Sequence, residues 1–180
     1  MAKELVKLSK LLSYMLRHDP EGFGLQLDEQ GFTDLDAVWA QVAKRYGNRY
    51  SQQDLATMLD DTPFGKQRFE VQDGRIRAMY GHSKVPVDYP AVEPPEKLYH
   101  GTTPEAVVFV RREGLTSQKR QFVHLSTTID RASNVATRHG KPVLLEIRAL
   151  DAHNAGHVFH HPEDQHYLVR SVPPEFIDFS

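Results

Sequence analysis

The sequence of 180 residues contains no cysteine and no long hydrophobic run. The lack of cysteine excludes a disulfide framework and a thiolate metal site, and it fits a protein of the reducing cytoplasm. No apolar segment approaches the roughly 20 residues that a membrane helix needs. The first residues, Met-Ala-Lys-Glu-Leu, do not lead into the apolar core of a signal peptide. We therefore expect a cytoplasmic protein with no membrane partner.

An excess of positive charge is also lacking. The formal net charge is −2, and neither half of the chain is basic: residues 1–90 carry 12 Lys and Arg against 13 Asp and Glu, and residues 91–180 carry 10 against 11. Proteins that bind nucleic acid through bulk charge have a basic domain or stripe. Any contact with nucleic acid must therefore come from a local cluster of Arg and Lys.

The first half of the chain has the pattern of three helices followed by a hairpin. Apolar residues at helical spacing indicate the helices, with Asp34 and Ser51 as predicted N-caps of the second and third. The dipeptide Asp73-Gly74 between two short apolar runs is a strong hairpin signal. The predicted segments are helices over 2–17, 34–46 and from 51 onward, a short strand over 25–27, and hairpin strands over 68–71 and 75–79. This order is typical of a winged helix.

The second half predicts short strands with two helices, after a stiff connection. Prolines at 86, 90, 94 and 95 indicate a linker over 86–96, which separates a lobe over 1–85 from one over 97–180. The expected fold is α+β. The predicted strands cover 97–100, 122–125, 142–147, 167–169 and 176–179, and the predicted helices cover 104–113 and 129–139.

Two strand ends in the second half carry similar polar groups. His100-Gly101-Thr102 follows one apolar strand, and His124-Leu125-Ser126 ends the next. Two histidines and two hydroxyls without cysteine suit recognition of a sugar and an amide better than they suit a metal. Gly101 has no side chain, so a flat ligand could approach its backbone closely.

Cations in the first half have both a structural and a functional interpretation. Arg17-His18 ends the first helix, before Asp19-Pro20, where a cation stabilises a helix by about 0.3–1 kcal/mol. The same pair could clamp a phosphate, because Arg offers a planar fork of donors. Lys66 and Arg68 lie on one face of the chain entering the hairpin. Arg75 and Arg77 alternate on the next strand, where either solubility or RNA binding would explain them.

These motifs together resemble the RNA 2'-phosphotransferases of the Tpt1/KptA family, within the ADP-ribosyltransferase superfamily. The resemblance extends from Arg17 to the stretch over 172–174, with the motifs in the family's order. One departure is Tyr80, where the family usually has Gln before Gly-His-Ser. The motifs are Arg17-His18-Asp19-Pro20, Lys66-Gln67-Arg68-Phe69, Gly81-His82-Ser83, His100-Gly101-Thr102, Arg120-Gln121-Phe122-Val123-His124-Leu125-Ser126 and Arg138-His139-Gly140-Lys141-Pro142.

The resemblance implies a fold, a reaction and a set of site residues. The fold would be an N-terminal winged-helix lobe and a C-terminal ADP-ribosyltransferase-like β-sandwich lobe. The reaction would transfer an internal 2'-phosphate of a tRNA-like RNA to NAD as co-substrate, through an ADP-ribosylated intermediate. No metal is implied, and we expect a monomer. The implied residues are Arg17, His18, Arg68 and Arg120 for catalysis, His100, Gly101, Thr102, His124, Leu125, Ser126 and Arg138 for NAD, and Lys66, Arg75, Arg77 and His82 for RNA.

Several alternatives stay open from the residues alone. The chain could leave ADP-ribose on a nucleic-acid phosphate or a protein, or it could be a winged-helix regulator without enzyme activity. Lys119 could take the place of Arg120 by a shift of one residue. The segment 163–168 offers no clean match to the late catalytic Glu of many protein-directed ADP-ribosyltransferases. A final set of histidines suggests a metal site less strongly than a surface loop: His157, His160, His161 and His166, beside Asp164.

Overall fold

The computed structural model describes residues 2–60, 67–137 and 141–179, which form two compact units. The first unit ends at Asp88 and the second begins at Tyr89. Within the described segments, no helix combines the length and hydrophobicity needed to cross a membrane. The predicted mixture of helices and antiparallel strands is confirmed.

The first unit contains three helices and a three-stranded antiparallel sheet in the order β1-β3-β2. Residues 25–28 are irregular, so the strand predicted over 25–27 is wrong. They follow a 3-10 turn (Glu21–Phe23), and the amide of Leu25 donates back to the carbonyl of Pro20 at 2.9 Å. The elements are α1 (Ala2–Arg17), β1 (Thr33–Asp34), α2 (Leu35–Tyr46), α3 (Gln52–Asp60), β2 (Phe69–Gln72) and β3 (Arg75–Ala78).

Local sequence signals explain where these elements begin and turn. The carboxylate of Asp34 accepts from the amide of Ala37 at 2.7 Å, so it caps α2 as predicted. Ser51 and Asp54 bond reciprocally before α3, with side chains and amides in a capping box. Asp73 and Gly74 have φ angles of 50° and 71°, which is the left-handed pair that a tight hairpin turn requires.

The core of the first unit fixes the end of α1. Leu8, Leu12, Met15 and Leu16 are completely buried on one face of this helix, and they belong to one cluster with Ile76 of β3. The apolar stripe reaches the last turn, immediately before Arg17. The end of α1 is therefore held by packing, and the polar residues that follow have a rigid support.

The second unit is built on a seven-stranded antiparallel sheet in the order β12-β8-β5-β7-β10-β9-β4, with a separate β6-β11 pair. The sequence analysis missed α6, β4, β6, β9 and β11. The elements are β4 (Ala91–Val92), β5 (Lys97–Thr102), α4 (Pro104–Glu113), β6 (Leu115–Thr116), β7 (Val123–Ser126), α5 (Ile129–Ala136), β8 (Val143–Arg148), α6 (Ala149–Asn154), β9 (Phe159–Glu163), β10 (His166–Val169), β11 (Ser171–Val172) and β12 (Ile177–Asp178).

This sheet has a weak seam between β5 and β7. Six residue pairs join β5 to β8, and four join β7 to β10. Within the described strands, β5 and β7 are joined by the single pair Tyr99–Ser126. The sheet is therefore continuous, rather than two separate sheets, but it divides at the seam into a three-stranded half and a four-stranded half.

The segment predicted as a linker over 86–96 is divided between the two units. Val87 is completely buried, and the amide of Asp88 donates to the carbonyl of Glu29 at 2.8 Å, both within the first unit. Ala91 and Val92 pair with β9 in the second. Parts of the segment predicted as a linker therefore pack within each unit.

Candidate active site

Arg17 is held between aromatic rings at the end of α1. Its guanidinium carbon lies 4.9 Å from the centre of the Tyr80 ring and 5.7 Å from that of Phe69, and Nη2 donates to the carbonyl of Arg68 at 3.5 Å. Stacking on rings orients a guanidinium without consuming all of its donors. Tyr80, the departure from the family pattern, thus takes part in holding Arg17.

His18 and Arg68 lie in the same part of the first unit. Nδ1 of His18 is 2.9 Å from Oγ of Ser83, and the amide of Ser83 donates to the carbonyl of Arg17 at 3.0 Å. Nη1 of Arg68 donates to Oγ of Ser9 in α1 at 3.5 Å. The structure therefore places the backbone of Arg68 beside Arg17 and the Arg68 guanidinium against α1 at Ser9, although 51 positions separate the two arginines in sequence.

His82 is buried beneath these groups, with 2% of its surface exposed. Burial, which has the largest effect, and the positive charges of Arg17, His18 and Arg77 together lower the pKa of His82 to about 4. The ring is therefore neutral at pH 7. This environment favours a structural role over direct contact with RNA.

Arg75 and Arg77 are both engaged by acidic residues. Arg75 bonds to Asp28 at 2.6 Å, and Nε of Arg77 bonds to Glu70 at 2.7 Å. Burial raises the pKa of Asp28, but hydrogen bonds from Arg75 and from two backbone amides outweigh it and lower that pKa overall. These ion pairs reduce the positive field that the two arginines present to a polyanion.

His100 bridges the seam between β5 and β7. Its Nδ1 is 3.0 Å from the carbonyl of His124. His100 directly follows Tyr99, which forms the one ladder pair with Ser126 in the described parts of these strands. Burial lowers the pKa of His100, and the bond to the carbonyl opposes that shift. A neutral ring that donates from Nδ1 has its acceptor at Nε2, which suits a ribose hydroxyl.

Gly101 is required by packing, which differs from the reason given by the sequence. A Cβ added there would lie 2.1 Å from the carbonyl oxygen of Ala132 and 2.9 Å from Cβ of Ala136, both in α5. The absent side chain lets α5 approach β5. The physical reason for this glycine is therefore contact between a helix and a strand, rather than access for a ligand.

The remaining predicted residues differ in exposure. Thr102 is half-buried and Ser126 has 9% of its surface exposed, whereas the side chain of Leu125 is in the core. Only the backbone of Leu125 is therefore suited to meet a ligand. Arg120 is exposed in the turn before β7, where its amide donates to the carbonyl of Ser117 at 3.0 Å. Lys66 and Arg138 lie outside the described residues.

A chain of four side chains at β7, β9, β10 and α5 was missed by the sequence analysis. Nδ1 of His124 is 2.8 Å from Nε2 of His166, and Nδ1 of His166 is 3.1 Å from Oε1 of Glu163. Glu163 also forms an ion pair with Arg131. His166 and Glu163 are buried, so the expected surface loop is wrong for His166. We name this set the His124 relay.

The chemistry of the seam fits a nucleotide with free ribose hydroxyls. Imidazoles, hydroxyls and backbone groups lie there, and Glu163, which contacts His166 behind His124, is paired with Arg131. Its charge therefore does not oppose a pyrophosphate. In the described part of the chain, no three His, Asp or Glu side chains are arranged to hold a metal ion.

Comparison with known proteins identifies the family. The sequence model of the RNA 2'-phosphotransferase, Tpt1 / KptA family, matches residues 3–171. A protein of Burkholderia lata named "Probable RNA 2'-phosphotransferase" is 42% identical, covering 98% of this chain and 91% of its own. Proteins with the same name from Pseudomonas aeruginosa (strain UCBPP-PA14) and Streptomyces coelicolor are 44% and 40% identical, covering 97% of this chain and 97% and 94% of theirs. The chain therefore belongs to the Tpt1/KptA family of RNA 2'-phosphotransferases.

Proposed function

We propose that this protein removes an internal 2'-phosphate from RNA with NAD as co-substrate. The 2'-phosphate attacks the ribose carbon that bears nicotinamide, and nicotinamide leaves. The ribose 2''-hydroxyl then attacks the phosphorus, so that RNA leaves with a 2'-hydroxyl and ADP-ribose 1'',2''-cyclic phosphate forms. The observation that carries the proposal is that Arg17 and His18, at the rigid end of α1, lie beside the backbone of Arg68, whose guanidinium also contacts α1 at Ser9.

The two steps make different demands on the protein. The nucleophile of the first step is a phosphate already ionised at pH 7, so a general base has little to contribute. The second step concentrates negative charge on a phosphodiester, and preorganised cations are most effective against such charge. Arg17, His18, Arg68 and Arg120 are proposed for this role, with His18 as a donor to the phosphate.

The nucleotide is proposed to bind at the seam of the second unit. His100, Thr102, His124 and Ser126 would contact it through side chains, and Gly101 and Leu125 through their backbone. Arg138 stays a prediction. The seam fits because the ladder in the described strands is interrupted beside two half-buried imidazoles. We assign the second unit to the ADP-ribosyltransferase-like folds on this basis.

The first unit is proposed to be a winged helix that holds the RNA. Its three helices and β1-β3-β2 sheet support this assignment, with the β2-β3 hairpin as the wing. Direct RNA contacts by Lys66, Arg75, Arg77 and His82 stay predictions, of which that for His82 is the least favoured by burial. A monomer in the cytoplasm and a tRNA-like substrate also stay predictions.

The decisive experiment supplies NAD and a short RNA that bears one internal 2'-phosphate, and follows the products by mass. We expect 2'-hydroxyl RNA, nicotinamide and a cyclic phosphate of ADP-ribose. A stable ADP-ribosylated acceptor would instead identify a transferase that stops after the first step. Duplex DNA binding without nicotinamide release would identify a regulator, and either result would refute the proposal.

A further inference from the structure

The His124 relay is buried more deeply than a surface ion pair, although it ends beside the seam. The Arg131 and Glu163 side chains have 11% and 4% of their surface exposed, and His166 has 5%. Buried charged and polar groups destabilise a fold unless they are paired. Here each member has a partner, and the last member, His124, is half-buried beside His100.

The relay determines which nitrogen of His124 carries the proton. Arg131 keeps Glu163 ionised, so this carboxylate is an acceptor and Nδ1 of His166 must donate to it. A neutral His166 that donates from Nδ1 has an acceptor at Nε2. Nδ1 of His124 must then donate across the 2.8 Å contact, which makes Nε2 of His124 an acceptor.

We propose that Glu163 and His166 are positioning residues that hold His124 in the tautomer able to accept a proton from the ribose 2''-hydroxyl. The inference rests on the proposed function. In the second step the O2''–P bond forms, Nε2 of His124 takes the hydroxyl proton, and the bond from phosphorus to the RNA 2'-oxygen breaks. The RNA oxygen takes a proton from water, and His124 returns its proton to solvent. A positioned base of this kind commonly accelerates a step by about 10²–10⁴-fold.

The tautomer is measurable without any substrate. Nitrogen-15 NMR of the imidazoles separates the two tautomers, and we expect His124 protonated at Nδ1 in the wild type. In His166→Val the acceptor is lost, so the Nε2-protonated form should appear. His166→Gln retains an amide oxygen as an acceptor and should restore the wild-type form. A wild-type His124 protonated at Nε2 would overturn the proposal, whatever the protein's activity.

Rate measurements provide a second test of the role of His166. In His166→Val, the second step should slow by about 10²-fold while nicotinamide release changes little, so that ADP-ribosylated RNA accumulates. His166→Gln should recover most of the second-step rate. His161→Val is a matched control, because His161 is exposed on the neighbouring strand and stacks on Tyr167. Equal slowing of both steps, or no slowing, would refute the role. Absence of nicotinamide release by the wild type would refute the proposed function instead.

A separate observation concerns the surface of the first unit. A groove of about 300 Å³ lies between α1 and the end of α2, and Lys10, Tyr14, Phe23 and Arg45 are among its lining residues. Tyr14 is 48% exposed, and its ring centre is 6.2 Å from that of His18 and 6.1 Å from that of Phe23. One lining residue of the groove, Tyr14, is therefore next to His18 of the proposed phosphate site.

Its composition matches that of single-stranded RNA. Exposed aromatic rings provide a surface on which bases stack, and flanking cations follow the backbone. Lys10 and Arg45 are exposed, and no ion pair between either of them and an acidic group was found among the described residues. In a protein with a net charge of −2, such a local cluster is where RNA affinity must originate.

We infer that this groove binds the nucleotides that flank the 2'-phosphate, with a base on Tyr14 and phosphates at Lys10 and Arg45. This also rests on the proposed function. Because the groove lies beyond the phosphate site, it should matter for long RNA and not for a minimal 2'-phosphorylated dinucleotide.

The test compares the two substrates in the Lys10→Glu/Arg45→Glu double variant. We expect KM for an RNA of about eight nucleotides to rise at least tenfold, with kcat and the dinucleotide kinetics unchanged. The salt dependence of binding should weaken by about 1.4 in log–log slope, because each phosphate contact on a single strand contributes about 0.7. Lys44→Glu is the matched control, since Lys44 is exposed in α2 but does not line the groove. An unchanged KM for the longer RNA, or an equal loss on both substrates, would refute the groove.

Discussion

Replacing Gly101 by alanine distinguishes the two reasons for a glycine beside His100. If the residue is small so that a ligand can approach, the variant should be as stable as the wild type without nucleotide and should bind nucleotide poorly. If it is small because α5 packs against β5, the variant should lose stability in the absence of any ligand. The structure supports the second reason, since the added Cβ meets a backbone oxygen of α5.

The magnitude follows from the contact. The new Cβ would lie 2.1 Å from the carbonyl oxygen of Ala132, whereas unstrained heavy-atom contacts lie near about 3.5 Å. The strand and the helix must separate by roughly 1 Å, and overpacking of this kind costs about 1–3 kcal/mol. In a protein of this size each kcal/mol lowers Tm by about 2–4 °C. We expect Gly101→Ala to unfold roughly 2–12 °C below the wild type.

Calorimetry without nucleotide is the appropriate assay. Gly22→Ala is a matched control, because the three atoms nearest to its added methyl group belong to the Asp19 carboxylate, which can rotate away. That variant should stay within about 0.5 kcal/mol of the wild type. A Gly101→Ala protein with an unchanged Tm and weakened nucleotide binding would refute the packing argument and restore the ligand argument.

Four further predictions follow from the site. Arg17→Ala and Arg68→Ala should each lower dephosphorylation by about 10²–10³-fold in single-turnover assays while the protein stays folded; near-normal turnover would remove that residue from the mechanism. Arg120→Ala should let ADP-ribosylated RNA accumulate at early times, with Lys119→Ala as the comparison; full activity of Arg120→Ala without the intermediate would contradict the assignment. ADP-ribose should raise the Tm of the wild type but not of His100→Ala, and an equal rise in both would count against the seam as the nucleotide site. Folding lowers the pKa of His82 from 6.5 to about 4, so the unfolded state binds more protons than the folded state between these two pH values. The stabilisation is therefore fully present above pH 6.5 and decreases as the pH falls towards 4. The total change in the free energy of unfolding is on the order of 3 kcal/mol. His82→Phe should flatten this part of a urea-unfolding pH series, and an identical slope in the variant would contradict the argument.

Features specified by short sequence signals were predictable. The cap at Asp34 and the Asp73-Gly74 turn depend on two or three adjacent residues, and both are present in the structure. Residues 25–27 follow glycines at 22 and 24 but offer only a short apolar alternation, and the amide of Leu25 bonds back to Pro20 in place of the expected strand.

The His124 relay could not be predicted in the same way, because its contacts join residues 32 and 42 positions apart. Strand β9 was hidden for a different reason. It contains Pro162, and the ladder with β10 changes register near that point. A proline is tolerated at such an irregularity, but in the sequence Pro162 indicated a loop rather than a strand. The metal interpretation of the nearby histidines was based only on their spacing in the sequence.

The nucleotide site proposed at the seam between β5 and β7 also has a consequence for how its specificity can evolve. In the described strands, one residue pair joins β5 to β7. Other peptide groups along the two strand edges can therefore hydrogen-bond to a polar ligand. Peptide groups are common to nearly all residue types, so substitutions of the side chains around them preserve that part of the recognition. Specificity encoded in the main chain is robust to mutation but hard to redirect. A laboratory effort to alter the preferred nucleotide should therefore vary the separation of the two strands, through α5 and its contact with Gly101, before it varies the side chains at the seam.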